Sequence, residues 1–496
     1  MTRPAGLGRV PLLAAGLTLF VVLCTLNSAG YRYGASDQAF YAPAVIRALH
    51  PDYYPHDAPL IDAQARLTAV DEVTAALIRP SGLSLPVAFA LFYAGGLVLF
   101  ALGVMAVSRS LAFSGLTTVT LLAALTLRHA IAETGTNTLE GYFHPRQIAF
   151  ALGVWAIAGF LRRRPALAAL PLAAAALIHP TTALWFIIWL TVAFSVGDRR
   201  RMIRVAVVLL IGALAAAWAL TRGPLAGRLD AMDPEWLATL SGKTYLFPLA
   251  WRWSVWLINL LSPALVLLVF LRRRREGRLV PCEAALVAGN LALLVVFLAA
   301  LPLQAARVQL AIQLQPGRVF WMMDFLATAY VVWAMVESGG AARRRGVIVA
   351  VLIGLFTAGR SAYIAFVEFP ARAMFAIGLP DGDWSRAMAW ARGSAVSSHW
   401  LADPAHAFLY GSSLRVAGER DVFVEISKDQ AIGMYDRPTA MRTRDRLAEL
   451  GEFHSLTPER ARQLATAHDL DYLVTTDRLE LPIAFASGAL TVYRLR

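Results

Sequence analysis

Long apolar runs separated by short arginine blocks set the pattern of this chain. Apolar residues dominate near 10–29, 84–107, 110–127, 146–161, 203–220, 250–271, 281–301, 319–337 and 346–366. Each run predicts a helix that crosses a bilayer. Between the runs lie Arg3 with Arg9, Arg109, Arg162 to Arg164, Arg199 to Arg204, Arg272 to Arg275 with Arg278, and Arg343 to Arg345. By the positive-inside rule these blocks face the cytoplasm, so the chain crosses an even number of times between consecutive blocks. The runs satisfy that parity, with outer loops at 30–83, before 146, before 250 and before 319. The interval 165–196, PALAALPLAAAALIHPTTALWFIIWLTVAFSV, is too long for one span and too short for two. It predicts a hairpin of two short helices with its apex at His179-Pro180, a device that survives at membrane depth only when buried in protein or lining a wet cavity. The reading is an α-helical polytopic membrane protein of about 11 membrane helices, with the N-terminus inside and the C-terminal part outside. MTRPAGLGRV has the character of a signal n-region, and the run after it reads as an uncleaved first span.

The pattern changes near residue 370. The last stretch carries interspersed charges and alternating runs such as AFLYG, DVFVEIS and DYLVTTD, with helical segments at RDRLAEL and TPERARQLATAHDL. It predicts a small α/β domain at 371–496 on the outer side, after a transmembrane domain at 1–370.

Composition supports the membrane assignment. Of 496 residues 58% are hydrophobic and 16% charged, where soluble chains carry about a quarter charged residues. The formal charge of +13 sits in the arginine blocks, which the membrane explains better than nucleic acid does. Only Lys243 and Lys428 are lysines, and the two cysteines, Cys24 and Cys282, lie in or beside apolar runs, so no disulfide framework is expected. Walker, dinucleotide-fingerprint, H-E-x-x-H, C-x-x-C and G-x-S-x-G motifs are absent.

Polar clusters collect on the predicted outer face. Asp37 follows the first span in YRYGASDQAFYAP, ahead of a helix that Phe40, Val45, Ile46 and Leu49 predict to lie on the membrane surface, shortened or kinked by Pro43. An acid beside a bilayer needs partners or work. His50, Asp52, His56 and Asp57 occupy a turn-rich piece whose spacing matches no trusted metal pattern. Glu133, Asn137, Glu140, Tyr142, His144 and Arg146 precede a span, and Gln313, Gln315 and Arg318 precede another. A cation at a helix N-terminus is disfavoured unless an anion sits there, so Arg146 and Arg318 read either as phosphate ligands or as interfacial snorkels. His179 at the hairpin apex is open to a structural or a donor-binding role, and Asp324 is an intramembrane acid in need of a partner.

At these residues the layout resembles the GT-C superfamily of membrane glycosyltransferases. The acid after the first span, the paired short helices and the outer C-terminal domain carry the resemblance. The segments HPRQIAF, IHPTTALWF and LQPGRVFW are similar to those of bacterial GT-C-like proteins of unassigned substrate. One departure is that most members place two acids in the first loop, whereas here Gln38 follows Asp37. The resemblance implies a sugar donor on a polyprenyl-phosphate carrier, transfer on the outer face of a bacterial inner membrane, and Asp37 as general base. Arg146 and Arg318 would hold the donor phosphate, with Glu140, His144, His179 and Gln315 near the substrate. Ligand spacing indicates no metal, and a divalent ion stays open as a cofactor. A transporter or flippase of lipid-linked saccharides would use the same arginines without a base, and a non-catalytic scaffold would leave Asp37, Arg146 and Arg318 far apart.

Overall fold

The computed structural model describes residues 9–196, 210, 212–223, 225–339 and 342–496. The expectations placed on Arg3, on Arg199 to Arg204 and on the first part of the 203–220 span lie outside the described residues. Helices occupy the remaining apolar runs: α1 (Arg9–Asn27), α5 (Leu85–Ser110), α6 (Gly115–Leu125), α7 (Pro145–Leu161), α8 (Pro165–Ile178), α9 (Pro180–Ser195), α10 (Gly212–Thr221), α12 (Trp253–Arg275), α13 (Glu283–Ala305), α15 (Val319–Val336) and α16 (Ala342–Tyr363). Among the described residues five helical stretches are both long and apolar enough to cross a membrane: Leu85–Ser110, Trp253–Arg275, Glu283–Ala305, Gln309–Val336 and Arg344–Glu368. The other helices are shorter. The interval 165–196 is two helices that meet at His179, which serves both as C-cap of α8 and as N-cap of α9.

Close packing of these helices uses glycine where backbones touch. A Cβ on Gly289 of α13 would meet the carbonyl oxygen of Trp189 on α9 at 2.2 Å. Trp189 is fully buried there and donates its Nε1–H to Leu286 O at 2.8 Å. Small residues let helices approach in lipid, where no hydrophobic force draws them together. α7 runs into Arg162 to Arg164, α12 ends in Arg272 to Arg275 and α5 carries Arg109 in its last turn, while the start of α7 lines the cavity described below. One member of a block is not a solvated charge. Arg273 is buried in an ion pair with Glu283 at 2.6 Å and its guanidinium stacks on Trp333 at 4.4 Å, so it joins α12 to α13 and α15.

The helix expected after Asp37 forms as α2 (Gln38–Leu49), with Pro43 inside it. It does not lie on an exposed surface. Phe40, Val45 and Ile46 are buried, packed against α4 (Val70–Ser81) and against α19 (Leu414–Ala417) of the C-terminal part. An apolar stripe predicts what is covered but not what covers it, and here the cover is protein.

Beyond the last membrane helix stands a five-stranded mixed sheet in the order β6-β5-β7-β9-β8. Its strands are β5 (His399–Ala402), β6 (Asp421–Val422), β7 (Tyr472–Thr475), β8 (Ile483–Ser487) and β9 (Leu490–Arg494). Alternation along β5 sends Trp400 and Ala402 into one core with Trp384 of α17 (Asp383–Arg392) and Leu401 into another with Leu464 of α22 (Pro458–His468). DYLVTTD supplies β7 and RDRLAEL lies in α21 (Arg437–Leu450), as the pattern predicts. AFLYG does not form a strand. It lies in and just after the short helix α18 (His406–Leu409), started by an Asp403 side chain that accepts the Ala405 N–H at 2.7 Å, and Phe408 and Leu409 are exposed. DVFVEIS gives only the two residues of β6 before α20 (Ile426–Ile432) begins.

A buried ion-pair network joins this part to the first outer loop. Asp57 accepts from Arg415 Nε at 2.8 Å, from Arg442, and from the Val422 N–H at 3.0 Å. Arg415 also holds Asp429 at 2.6 Å. Asp421 accepts the His56 and Asp57 N–H groups, and the His56 ring stacks on His399 at 4.4 Å. The turn HPDYYPHD (His50 to Asp57) is therefore a joint between the two parts of the chain, and Asp57 is committed to arginines.

Candidate functional site

A cavity of about 400 Å³ opens where the loop after α1, the N-termini of α7, α9 and α15, and the C-terminal part converge. Asp37, Glu140, His144, Arg146, His179 and Arg318 all line it. Three helix starts thus point their positive ends at one place: His144-Pro145-Arg146 at α7, His179-Pro180 at α9, and Pro316-Gly317-Arg318 before α15. Proline suits the first turn because its missing N–H has no intrahelical partner there. Each histidine caps its helix. His144 Nδ1 accepts from the Arg146 N–H at 3.2 Å, and His179 Nδ1 accepts from the Thr182 N–H at 3.3 Å.

The cap fixes the chemistry of His144. With Nδ1 accepting, its proton sits on Nε2, which is 3.0 Å from Asp37 Oδ2. Burial and the neighbouring Arg146 charge push the imidazole down to about 3, against the pull of Asp37, so it donates as a neutral ring. Tyr142 donates to the same Asp37 oxygen at 3.1 Å, and Lys428 Nζ lies 2.5 Å from Asp37 Oδ1. Burial raises the Asp37 carboxyl, but Lys428, His144 and Arg146 outweigh it and hold it well below the usual carboxylate range. Asp37 stands at the N-cap position of α2 and makes no side-chain cap there; its oxygens serve the cavity.

The two arginines differ in their partners. Arg146 is ion-paired with Glu140, itself buried and held by Asn137 Nδ2, and donates to Gly135 O at 3.2 Å. The clash of a cation with a helix start is thus met by a carboxylate of the same chain. Arg318 has no carboxylate in ion-pair contact, and its buried Nε has no hydrogen-bond partner among the described residues. Lining side chains comprise six cations, Arg32, Arg128, Arg146, Lys243, Arg318 and Lys428, against the carboxylates of Asp37 and Glu140.

Other expected residues lie elsewhere. Gln315 sits behind the wall, with Nε2 3.4 Å from Met434 Sδ, and Gln313 donates to Met434 O. Asp324 contacts His129 at 3.1 Å, away from the cavity. Gln38 is fully buried and turned from the cavity, accepting the Gly34 N–H at 2.7 Å and donating to Phe143 O at 3.2 Å. A glutamate could not make the second bond, which accounts for an amide beside Asp37. As a place for a divalent ion the site offers two carboxylates, one held by Lys428 and one by Arg146; no group of three or more metal-ligating side chains occurs among the described residues. These residues do not fit a divalent ion as arranged.

Residues that sequence patterns did not single out complete the wall. Lys243 and Tyr245 come from the loop before α12, and Lys428 and Tyr435 from the C-terminal part. For the two lysines the one signal in the sequence is the scarcity of that residue.

No protein-family profile and no curated protein matches the chain. The structure is similar to the crystal structure of the Archaeoglobus fulgidus oligosaccharyltransferase tethered to an acceptor peptide with an NVT sequon, over 94% of this chain and 69% of that one, at 14% sequence identity and a TM-score of 0.46.

Proposed function

We propose that the chain is a membrane glycosyltransferase of GT-C type that moves a sugar from a polyprenyl-phosphate carrier to an acceptor hydroxyl. The observation that carries this reading is the meeting of Asp37 with Arg318 in one cation-rich cavity at three helix N-termini. Guanidinium and ammonium groups and helix starts stabilise the charge that develops on a leaving phosphate. The acceptor oxygen would bond to the anomeric carbon as the carbon–oxygen bond to phosphate breaks. The phosphate keeps the bonding electron pair, and the acceptor proton passes to Asp37. Arg318 would hold the phosphate, with Arg146, His144 and His179 beside it. The arginine-rich helix ends lie away from the cavity, which supports transfer on the outer face of a bacterial inner membrane with 371–496 as an extracytoplasmic domain.

The test is transfer from a labelled polyprenyl-phosphate sugar by purified protein in lipid. Wild type should turn over, and Asp37→Asn should not. Binding of donor without transfer by either protein would favour a flippase and remove Asp37 as base.

A further inference from the structure

The 46 basic residues of this chain include only two lysines, Lys243 and Lys428, and both line the cavity around Asp37. The fixed ion pairs of the fold use arginine. Arg415 holds Asp57 and Asp429 with several nitrogens at once, and Arg273 holds Glu283 in the same manner. A rigid guanidinium fork suits a permanent partner, whereas an ammonium on a flexible four-carbon stem suits a group that changes acceptor. Lys428 Nζ touches Asp37 Oδ1 at 2.5 Å and Ser36 Oγ at 3.4 Å. Its backbone is anchored, because the next residue, Asp429, is gripped by Arg415 and accepts the Glu425 N–H at 3.0 Å. The stem therefore pivots from a fixed point.

We propose that Lys428 is a ligand shared between Asp37 and the donor phosphate, so that anion binding draws the ammonium away and releases the carboxylate for base catalysis. This rests on the glycosyl-transfer reading. The exchange makes and breaks no covalent bond: the ammonium keeps its three protons and trades one oxygen for another. Its result is an order of events, since Asp37 Oδ1 becomes available to an acceptor hydroxyl only after the donor is bound.

The surroundings of Asp37 permit the exchange. His144 and Tyr142 both donate to Oδ2, whereas Lys428 donates to the other oxygen, Oδ1. Arg146 on α7, Arg318 before α15 and Lys243 remain as positive charges facing Asp37, with Tyr41 of α2 and Tyr435 as neutral neighbours. Loss of Lys428 thus weakens the hold on Asp37 without leaving the carboxylate uncompensated. Lys243 and Lys428 line the same cavity.

Having two lysines makes the test direct. Full-length protein in nanodiscs, labelled with [6-13C]lysine, gives two Cε resonances, and Lys243→Arg assigns them. Farnesyl phosphate is the probe and farnesol the neutral control. The Lys428 resonance is expected to shift saturably with farnesyl phosphate alone, and Lys428→Gln should weaken its binding about tenfold. Asp37→Asn should tighten that binding, and the gain should vanish in the Lys428→Gln background. Farnesyl phosphate binding that depends on Arg318 but leaves the Lys428 resonance unmoved, or an Asp37→Asn gain that survives loss of Lys428, would overturn the exchange and leave the donor site standing. Absence of farnesyl phosphate binding in wild type would overturn both.

Discussion

His144 donates Nε2–H to Asp37 across 3.0 Å while its Nδ1 accepts the Arg146 amide. One imidazole therefore caps a helix and aims a carboxylate, and the cap dictates which nitrogen carries the proton. Asp37 is held well below the usual range and His144 near 3, so neither titrates around neutrality. In the folded protein the ionised Asp37 and the neutral His144 persist until pH falls to those lowered values. The expected kcat/KM is thus flat from pH 8 down to about 5, and Asp37→Asn should lower kcat by about 10²–10⁴. Stopped assays across that pH range check both. His144→Ala, which keeps the base but loses its aim, should lower kcat more than it raises KM.

Arg318 and Arg146 should behave differently when neutralised. Arg318 has no carboxylate partner among the described residues, so Arg318→Gln is expected to fold normally and weaken phosphate binding about tenfold or more. Arg146→Gln leaves buried Glu140 uncompensated and is expected to cost about 3–5 kcal/mol of stability. Arg146→Gln combined with Glu140→Gln should recover much of that loss. Thermal unfolding in detergent, paired with farnesyl phosphate titration, separates the two roles.

Arg415 ties the joint to the cavity. It holds Asp57 of the first outer loop and Asp429, the residue after Lys428. Arg415→Met takes its guanidinium from buried Asp429 and leaves Asp57 with Arg442 alone of its two arginines, and is expected to destabilise the joint by about 3–5 kcal/mol. The expected readout is faster proteolysis between 371 and 496 with the membrane part intact, together with loss of transfer as Lys428 loses its fixed base. Arg415→Met with Asp57→Asn and Asp429→Asn should fold better than the single variant.

The helices were legible because lipid imposes one rule on every span: an apolar run long enough to cross, closed by charge. His179-Pro180 was legible as a break for the same reason, since arginines at both ends left no room for two full spans. The convergence of Asp37, His144, Arg146 and Arg318 was foreshadowed by proline-led starts on one predicted face. Lys428 was not, because its partner is 391 positions away and no local pattern encodes a contact between a first loop and a last domain. Burial of α2 escaped for a related reason, its cover being α19 from the far end of the chain. AFLYG misled because its alternation of apolar side chains fits a strand, while the preceding Asp403 makes a local hydrogen bond that starts a helix turn instead.

Asp421 gives the joint a pH dependence with a definite sign. Burial and the charge of Asp57 raise its carboxyl to about 7, against the two backbone N–H bonds it accepts. The folded protein therefore keeps a proton that the unfolded chain has released between about pH 4 and 7. Stability contributed by that proton is present below the unfolded value and falls as pH rises through the folded one. His399 opposes this: burial lowers it to about 4, so its contribution is lost as pH falls below the ordinary histidine range. Comparison with Asp421→Asn isolates the first effect. The variant keeps a side-chain oxygen for the Asp57 N–H and has nothing to titrate. Wild type is expected to lose about 2 kcal/mol more than Asp421→Asn between pH 5 and pH 8, measured by thermal unfolding of both proteins in the same detergent. Equal slopes for the two proteins would assign the pH dependence of the joint to His399 and its neighbours instead.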